Sequence, residues 1–130
     1  MCRSVEGWRF LPGGRRNAGE SLAGTAAREL REEAGCELVD GPGRIFAYQR
    51  ATSYNAEPHQ PHFPHPVTAW AYAVAHVALT GPPTIPDDGE KVVEVLRLPP
   101  VEAAAWLAVW DEVEHADVVR LADAMGLLRA

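Results

Sequence analysis

Glu29, Glu32 and Glu33 stand at positions i, i+3 and i+4 of a segment rich in helix-forming residues. On a helix their side chains share an arc of about 100°. Like charges at that spacing repel, at roughly 0.2–0.5 kcal/mol for each exposed pair. The three also fall near the C-terminal end of the predicted helix, where the macrodipole disfavours anions. One resolution is a solvated face of mixed charge, with Arg28 and Arg31 supplying partners. The other is a hard divalent cation, because carboxylate oxygens are the donors that Mg²⁺ and Mn²⁺ prefer. Arg28 borders the acidic arc, four residues before Glu32, while Ala23, Ala27, Leu30 and Ala34 fall on a separate arc that can face a core.

These side chains need a helix with defined ends and a loop that approaches them. Ser21 is the expected N-cap, Leu22 to Ala34 the helix, and Gly35 its stop. Ahead of it, the loop from Gly13 to Gly19 holds three glycines, Arg15 and Arg16. Gly13-Gly14 permits close backbone approach, so a carbonyl there, with Gly14 the candidate, can join the carboxylates on one ion. Arg15 and Arg16 can meet phosphate oxygens, with the positive potential of the helix N-terminus close by. Taken alone, Gly13-Gly14 is equally a tight turn.

The residues from Gly14 to Cys36 follow a pattern: Gly14, five residues, Glu20, seven residues, Arg28-Glu29-Leu30, Arg31, Glu32-Glu33, Ala34, Gly35, Cys36. This resembles the Nudix box, G-x5-E-x7-R-E-U-x-E-E-x-G-U, with every fixed position filled and a slightly small Cys36 at the last aliphatic one. The preceding Trp8-Arg9-Phe10-Leu11-Pro12-Gly13-Gly14 is similar to the family's W-x-L-P-G-G approach with one residue inserted. The resemblance implies an α/β fold: an α/β/α sandwich around a mixed sheet, the box as strand-loop-helix, and a C-terminal helix. It implies metal-dependent hydrolysis of a pyrophosphate bond in a nucleoside diphosphate linked to another moiety. By position, Glu29, Glu32 and Glu33 would bind Mg²⁺ or Mn²⁺. Glu29 or Glu33 would also be the base, Arg28 would orient a carboxylate, and Glu20 would support the loop or metal waters, or bind substrate. A further acid outside the box varies in the family. Glu90, in Asp87-Asp88-Gly89-Glu90, is the candidate, with an ordinary acidic turn as the plainer reading.

Stepping outward, Gly7 to Leu11 and Arg44 to Arg50 read as strands, Val67 to Leu79 as one long strand, and Lys91 to Leu98 as another. Pro99-Pro100 opens a helical pattern interrupted near Trp110, and Glu114 to Met125 repeats Val118, Leu121, Ala122 and Met125 at helical spacing. Between the strands, Pro58 to Pro66 contains three Pro-His-X triplets. In a polyproline II helix His59, His62 and His65 would share a face, but adjacent ones would sit about 9 Å apart, too far for one zinc ion. A surface loop is the default, a border of the substrate cleft the sharper alternative. Trp70 and Tyr72 are core candidates by default, with stacking on a base as the alternative.

The 130 residues read as a single domain, with 47% hydrophobic and 23% charged residues. No apolar run reaches membrane-spanning length, and no signal-type stretch opens the chain. Cys2 and Cys36 make no disulfide framework, which fits a reducing cytoplasm. A net charge of −6 argues against binding a nucleic acid polymer. Acids concentrate after Val101 (Glu102, Asp111, Glu112, Glu114, Asp117 and Asp123 against Arg120 and Arg129). Only residues 1–13 precede Gly14. That is fewer than the family usually places there, so a first strand would be missing or supplied by a partner, and an exposed sheet edge or a homodimer would follow. The partner expected is a small nucleotide-type substrate, and a catalytically silent nucleotide-binding or regulatory module is the alternative function.

Overall fold

The computed structural model describes residues 1–110 and 114–128. Asp111, Glu112 and Arg129, counted in the charge above, lie outside the described residues. The class is mixed α and β. Strand β1 (Cys2–Ser4) lies between β2 (Arg9–Phe10) and β7 (Val92–Val95), β3 (Cys36–Leu38) pairs with β6 (Val77–Leu79), and β4 (Arg44–Thr52) pairs with β5 (Val67–Val74). Every ladder among the described residues is antiparallel, where the sequence reading expects a mixed sheet. The cause is connectivity. Helix α1 (Leu22–Ala34) leads from β2 into β3, and β3 then pairs with β6 instead of returning to the first sheet.

Helix α1 runs over the residues its caps predict. The Ser21 side chain accepts from the Gly24 N–H at 3.0 Å, and Gly35 turns left-handed at φ 61°. The Gly35 carbonyl then accepts from the Thr80 N–H at 2.9 Å, which fixes the helix end against the chain that follows β6. A Cβ at Gly35 would run into the Gly81 carbonyl. Gly35→Ala is therefore expected to lower stability by about 2 kcal/mol or more, from the left-handed backbone and the clash together, read as a lower urea midpoint at unchanged slope.

The hydrophobic core has two parts. Cys2 and Phe10, opposite each other in register, pack with Ala34, Cys36, Leu30, Val92 and Val95. Met1 and Leu11, the adjacent residues of opposite parity, pack with Leu98 and Trp106 on Ala103, Ala104 and Leu107 of α2 (Pro100–Ala108) and on Ala116 and Val119 of α3 (His115–Ala124). Helix α3 buries Ala116, Val119 and Ala122 and leaves Leu121 and Met125 about half exposed, so its inner stripe differs from the predicted one. Small residues win there because α2 also presents alanines, and two such faces approach closely.

Two further differences have local causes. Val67 to Leu79 is two strands, broken at Ala75-His76, although its apolar residues run straight across the break. The chain changes partner at that point. Gly43, at φ 80°, meets Ala75 and the Val74 carbonyl so closely that no side chain would fit, and His76 pairs with Asp40 at 3.0 Å. Cys2–Ser4, unassigned from sequence, is the central strand of its sheet. Its three residues carry no strand pattern, and pairing on both sides defines it. Among the described residues no helix is long and apolar enough to cross a membrane.

Candidate active site

Of the predicted core arc of helix α1, Ala34 is buried, Leu30 packs against the same cluster, and Ala23 and Ala27 are partly buried, while Thr25 and Glu29 are buried as well. Glu29, on the acidic arc, is 8% exposed. Two neighbours cover it. The loop at Gly14 lies so close to its carboxylate that a Cβ at Gly14 would collide with Oε1. On the other side, Arg28 Nη1 donates to Glu29 Oε1 at 2.7 Å.

Arg28 organises the whole acidic set. Its Nε donates to Glu20 Oε2 at 2.9 Å and its Nη2 to Glu20 Oε1 at 3.1 Å. The same Nη1 that holds Glu29 reaches Glu32 Oε2 at 3.1 Å, and Nη2 also donates to the Arg15 carbonyl at 2.9 Å. Five hydrogen bonds thus match the five N–H donors of a rigid guanidinium. Glu20 is itself fixed, accepting from the Asn17 N–H at 3.1 Å and the Thr25 hydroxyl at 2.7 Å. Glu33 is held separately, its Oε2 accepting from the Gly13 N–H at 2.8 Å.

These surroundings split the acids by proton affinity. Hydrogen bonds from Arg28, above all, hold Glu20 down at about 2, with Thr25 and Asn17 assisting. Burial pushes Glu33 up to about 7 against the Gly13 hydrogen bond, and the charges of Glu29, Glu90 and Glu32 push the same way. Burial also raises Glu29, outweighing Arg28. Glu20 keeps Arg28 firmly protonated.

The acids face a cavity of about 580 Å³. Glu29, Glu32, Glu33 and Glu90 line it, together with Gly13, Gly14, Arg15, Arg28 and Asp88. Glu90, the candidate outside the box, is thus placed within electrostatic reach of Glu33. Arg15 also lines it, but Arg16 and Glu20 do not. The Arg16 carbonyl accepts from His62 Nε2 at 2.9 Å while its side chain is exposed, and Glu20 accepts from Arg28. The remaining wall is His59, Trp70, Ile85 and Pro86. Ile85 and Pro86 are absent from the sequence reading. The signal available for them was the Pro/Asp/Gly-rich stretch after Gly81, which is tied to the helix end by the Thr84 hydroxyl donating to the Arg31 carbonyl at 3.3 Å.

The histidine segment is no polyproline helix. The Phe63 N–H donates to the Gln60 carbonyl at 3.0 Å, closing a turn that gathers His59 and His62 around the Phe63 ring. Among the described residues no three His, Cys, Asp or Glu side chains stand together as a ready metal-binding set. At the acidic cavity the reason is visible: Arg28 bridges Glu29 and Glu32, and Gly13 engages Glu33.

A search of family models matches this chain to the NUDIX domain over residues 2–122. No curated protein and no solved structure gives a match. The matched span takes in the glycine loop, the helix with its acids and strands β1 to β7, and on that ground the chain belongs to the Nudix family.

Proposed function

We propose that this chain hydrolyses a pyrophosphate bond in nucleoside diphosphates linked to another moiety, with Mg²⁺ or Mn²⁺ as cofactor. The family generally does this chemistry on nucleoside diphosphate derivatives and generally uses divalent metals. The observation that carries the reading for this chain is the gathering of Glu29, Glu32 and Glu33 on one cavity beneath Gly13-Gly14.

The donor set suits a hard cation. It consists of carboxylate oxygens, and the loop can lie on Glu29 because residue 14 lacks a Cβ. Burial and mutual repulsion raise the proton affinity of Glu29 and Glu33, and a cation relieves that repulsion. Glu29, Glu32, Glu33 and the Gly14 carbonyl would hold the ion. When bound, it supplies cancellation of the pyrophosphate charge and acidification of the attacking water.

The protein's own groups do the rest. Glu33 is the first candidate for the general base, because the Gly13 N–H fixes its Oε2 beside the cavity that Glu33 lines. Glu29 is the second candidate for that role. Arg15 supplies a cation to phosphate oxygens, and Arg28 orients Glu29 and Glu32 without touching substrate.

The same reading places α1 and the α2–α3 pair on opposite faces of the β2–β1–β7 sheet, as one domain with sandwich architecture, supported by the alternating parity of the two core clusters. Edge strands β2 and β7 leave a surface for a homodimer. Two buried free cysteines fit the cytoplasm, and the negative charge fits a small substrate rather than a nucleic acid polymer.

The test is hydrolysis with Mg²⁺ or Mn²⁺ across nucleoside triphosphates, oxidised nucleotides, ADP-ribose, dinucleoside polyphosphates and NADH. Turnover of at least one, abolished by a chelator, is expected. No product from any of them would favour a silent binding module.

A further inference from the structure

Beyond Phe10 the β1–β2 ladder ends, and the chain enters the glycine loop through Leu11 and Pro12. Proline has no N–H, so the first two backbone donors after the strand are those of Leu11 and Gly13. Gly13 donates to Glu33 Oε2. Leu11 donates to His115 Nδ1 at 3.0 Å, across 104 positions of sequence. We propose that His115, the first residue of α3, is a positioning residue for the acidic site: its Nδ1 anchors Leu11 and thereby sets where Gly13 and Gly14 lie against Glu33 and Glu29. This deepens the hydrolase reading and rests on it, and it gives the C-terminal helix a part in the chemistry.

Two adjacent glycines need such an anchor. Gly13-Gly14 has little conformational preference of its own, so its path is set by what flanks it. On the helix side the loop is tied to the acids, with the Arg15 carbonyl accepting from Arg28 Nη2 and the Asn17 N–H donating to Glu20. On the strand side Leu11 is held twice. Its side chain packs with Met1, Leu98 and Trp106 on the α2–α3 cluster, and its N–H meets His115. Only the second contact fixes a direction, because a hydrocarbon contact tolerates sliding and a hydrogen bond weakens steeply when bent. The site leaves little room for such sliding. The Gly13–Glu33 bond is 2.8 Å long, and the backbone at Gly14 lies so close to Glu29 that a Cβ there would collide with Oε1.

His115 is itself supported. Its ring is partly buried and meets the Tyr72 ring edge-on, with centroids 6.0 Å apart and planes 82° apart. The Tyr72 hydroxyl donates to Gln49 Oε1 at 2.9 Å, so the long β4–β5 ladder backs the imidazole. A backbone N–H can only donate, which makes Nδ1 the acceptor nitrogen of the ring. The imidazole thus offers two separable things, an aromatic contact to Tyr72 and an acceptor to Leu11. The proposal concerns the acceptor.

The experiment separates the two. His115→Phe keeps a ring against Tyr72 without the acceptor, and His115→Asn keeps an acceptor near the Nδ1 position without the ring. Each is compared with wild type by nuclear magnetic resonance of metal-free, ¹⁵N-glycine-labelled protein, and by turnover with Mg²⁺ of the fastest compound in the series above. The Gly13 amide signal is identified by its loss in Gly13→Ala. His115→Phe is expected to move that signal upfield, as the bond to Glu33 lengthens, and to cut kcat roughly tenfold or more with KM nearly unchanged. His115→Asn is expected to hold the signal near its wild-type place and to recover most of kcat. His115→Ala, which lacks both groups, replaces His115→Phe if the phenylalanine does not fold. A Gly13 signal that stays at its wild-type place in His115→Phe overturns the proposal. So does a His115→Asn that performs no better than His115→Phe, which would make ring packing the cause. Turnover separates the two claims. No hydrolysis of any substrate by wild type removes the hydrolase reading and leaves the Gly13 signal to decide the anchor, whereas equal kcat in wild type and His115→Phe removes the positioning role only.

Discussion

Glu33→Gln is expected to cut turnover by about a thousandfold and, in the absence of divalent metal, to make the protein more stable at pH 8. The two effects have separate causes, the burial of the carboxyl and the loss of a proton acceptor. Burial raises the Glu33 carboxyl from an ordinary 4.5 to about 7. The stability linked to its protonated form is fully present below pH 4.5 and is lost as the pH rises through 7. The wild type therefore carries a half-buried, ionised acid at pH 8, at a disadvantage of roughly 2–3 kcal/mol after allowance for partial exposure. Glutamine imitates the protonated acid and escapes that disadvantage, but it cannot accept a proton, and general-base catalysis contributes about 10²–10⁴-fold. Urea denaturation of both proteins at pH 5 and pH 8 with chelator present checks the first effect, and steady-state kinetics the second. A wild type as stable as the variant at pH 8 would show that Glu33 is not strained by burial.

Arg28→Ala should have the opposite pH signature. Removing the guanidinium deletes five hydrogen bonds and leaves Glu29 buried without its cation. Breaking a buried pair costs about 3–5 kcal/mol. Arg28, Glu20 and Glu32 keep some solvent contact, which lowers the expectation to about 3 kcal/mol at pH 7. Glu20 sets the pH dependence: held at about 2 by Arg28, it contributes stability that is complete above its ordinary 4.5 and lost as the pH falls through 2. The gap between wild type and variant should therefore be widest near neutrality and close in acid. Arg28→Lys should not restore it, because an ammonium cannot reproduce a planar array of five donors. Turnover should fall about 10- to 100-fold through misplaced Glu29 and Glu32. Urea midpoints from pH 7 down to pH 3 measure the first effect. A constant gap would contradict the assignment of Arg28 as the organiser of these acids.

The part of the fold nearest the chemistry was the most legible in sequence. Ser21, Gly35 and the residues between them carry cap and propensity signals that act within one turn, so α1 could be placed residue by residue. What escaped depends on distant partners. Cys2–Ser4 is a strand because β2 and β7 flank it, and the break at Ala75-His76 exists because β5 and β6 pair with different strands. Helical spacing placed Glu29, Glu32 and Glu33 on one arc, but could not reveal that Gly14 would cover Glu29 and bury it. Nor could spacing reveal that Glu20 would be held by the Arg28 guanidinium. Ile85 and Pro86 reach the cavity from a loop with no periodicity to read.

The most direct test of the account is manganese binding followed by electron paramagnetic resonance at pH 8. Wild-type protein should remove the six-line signal of free Mn²⁺ as it is titrated in, and the combined Glu29→Gln, Glu32→Gln, Glu33→Gln variant should leave that signal unchanged. An undiminished signal with wild type, or equal loss with the variant, would contradict the claim that these three carboxylates hold the metal.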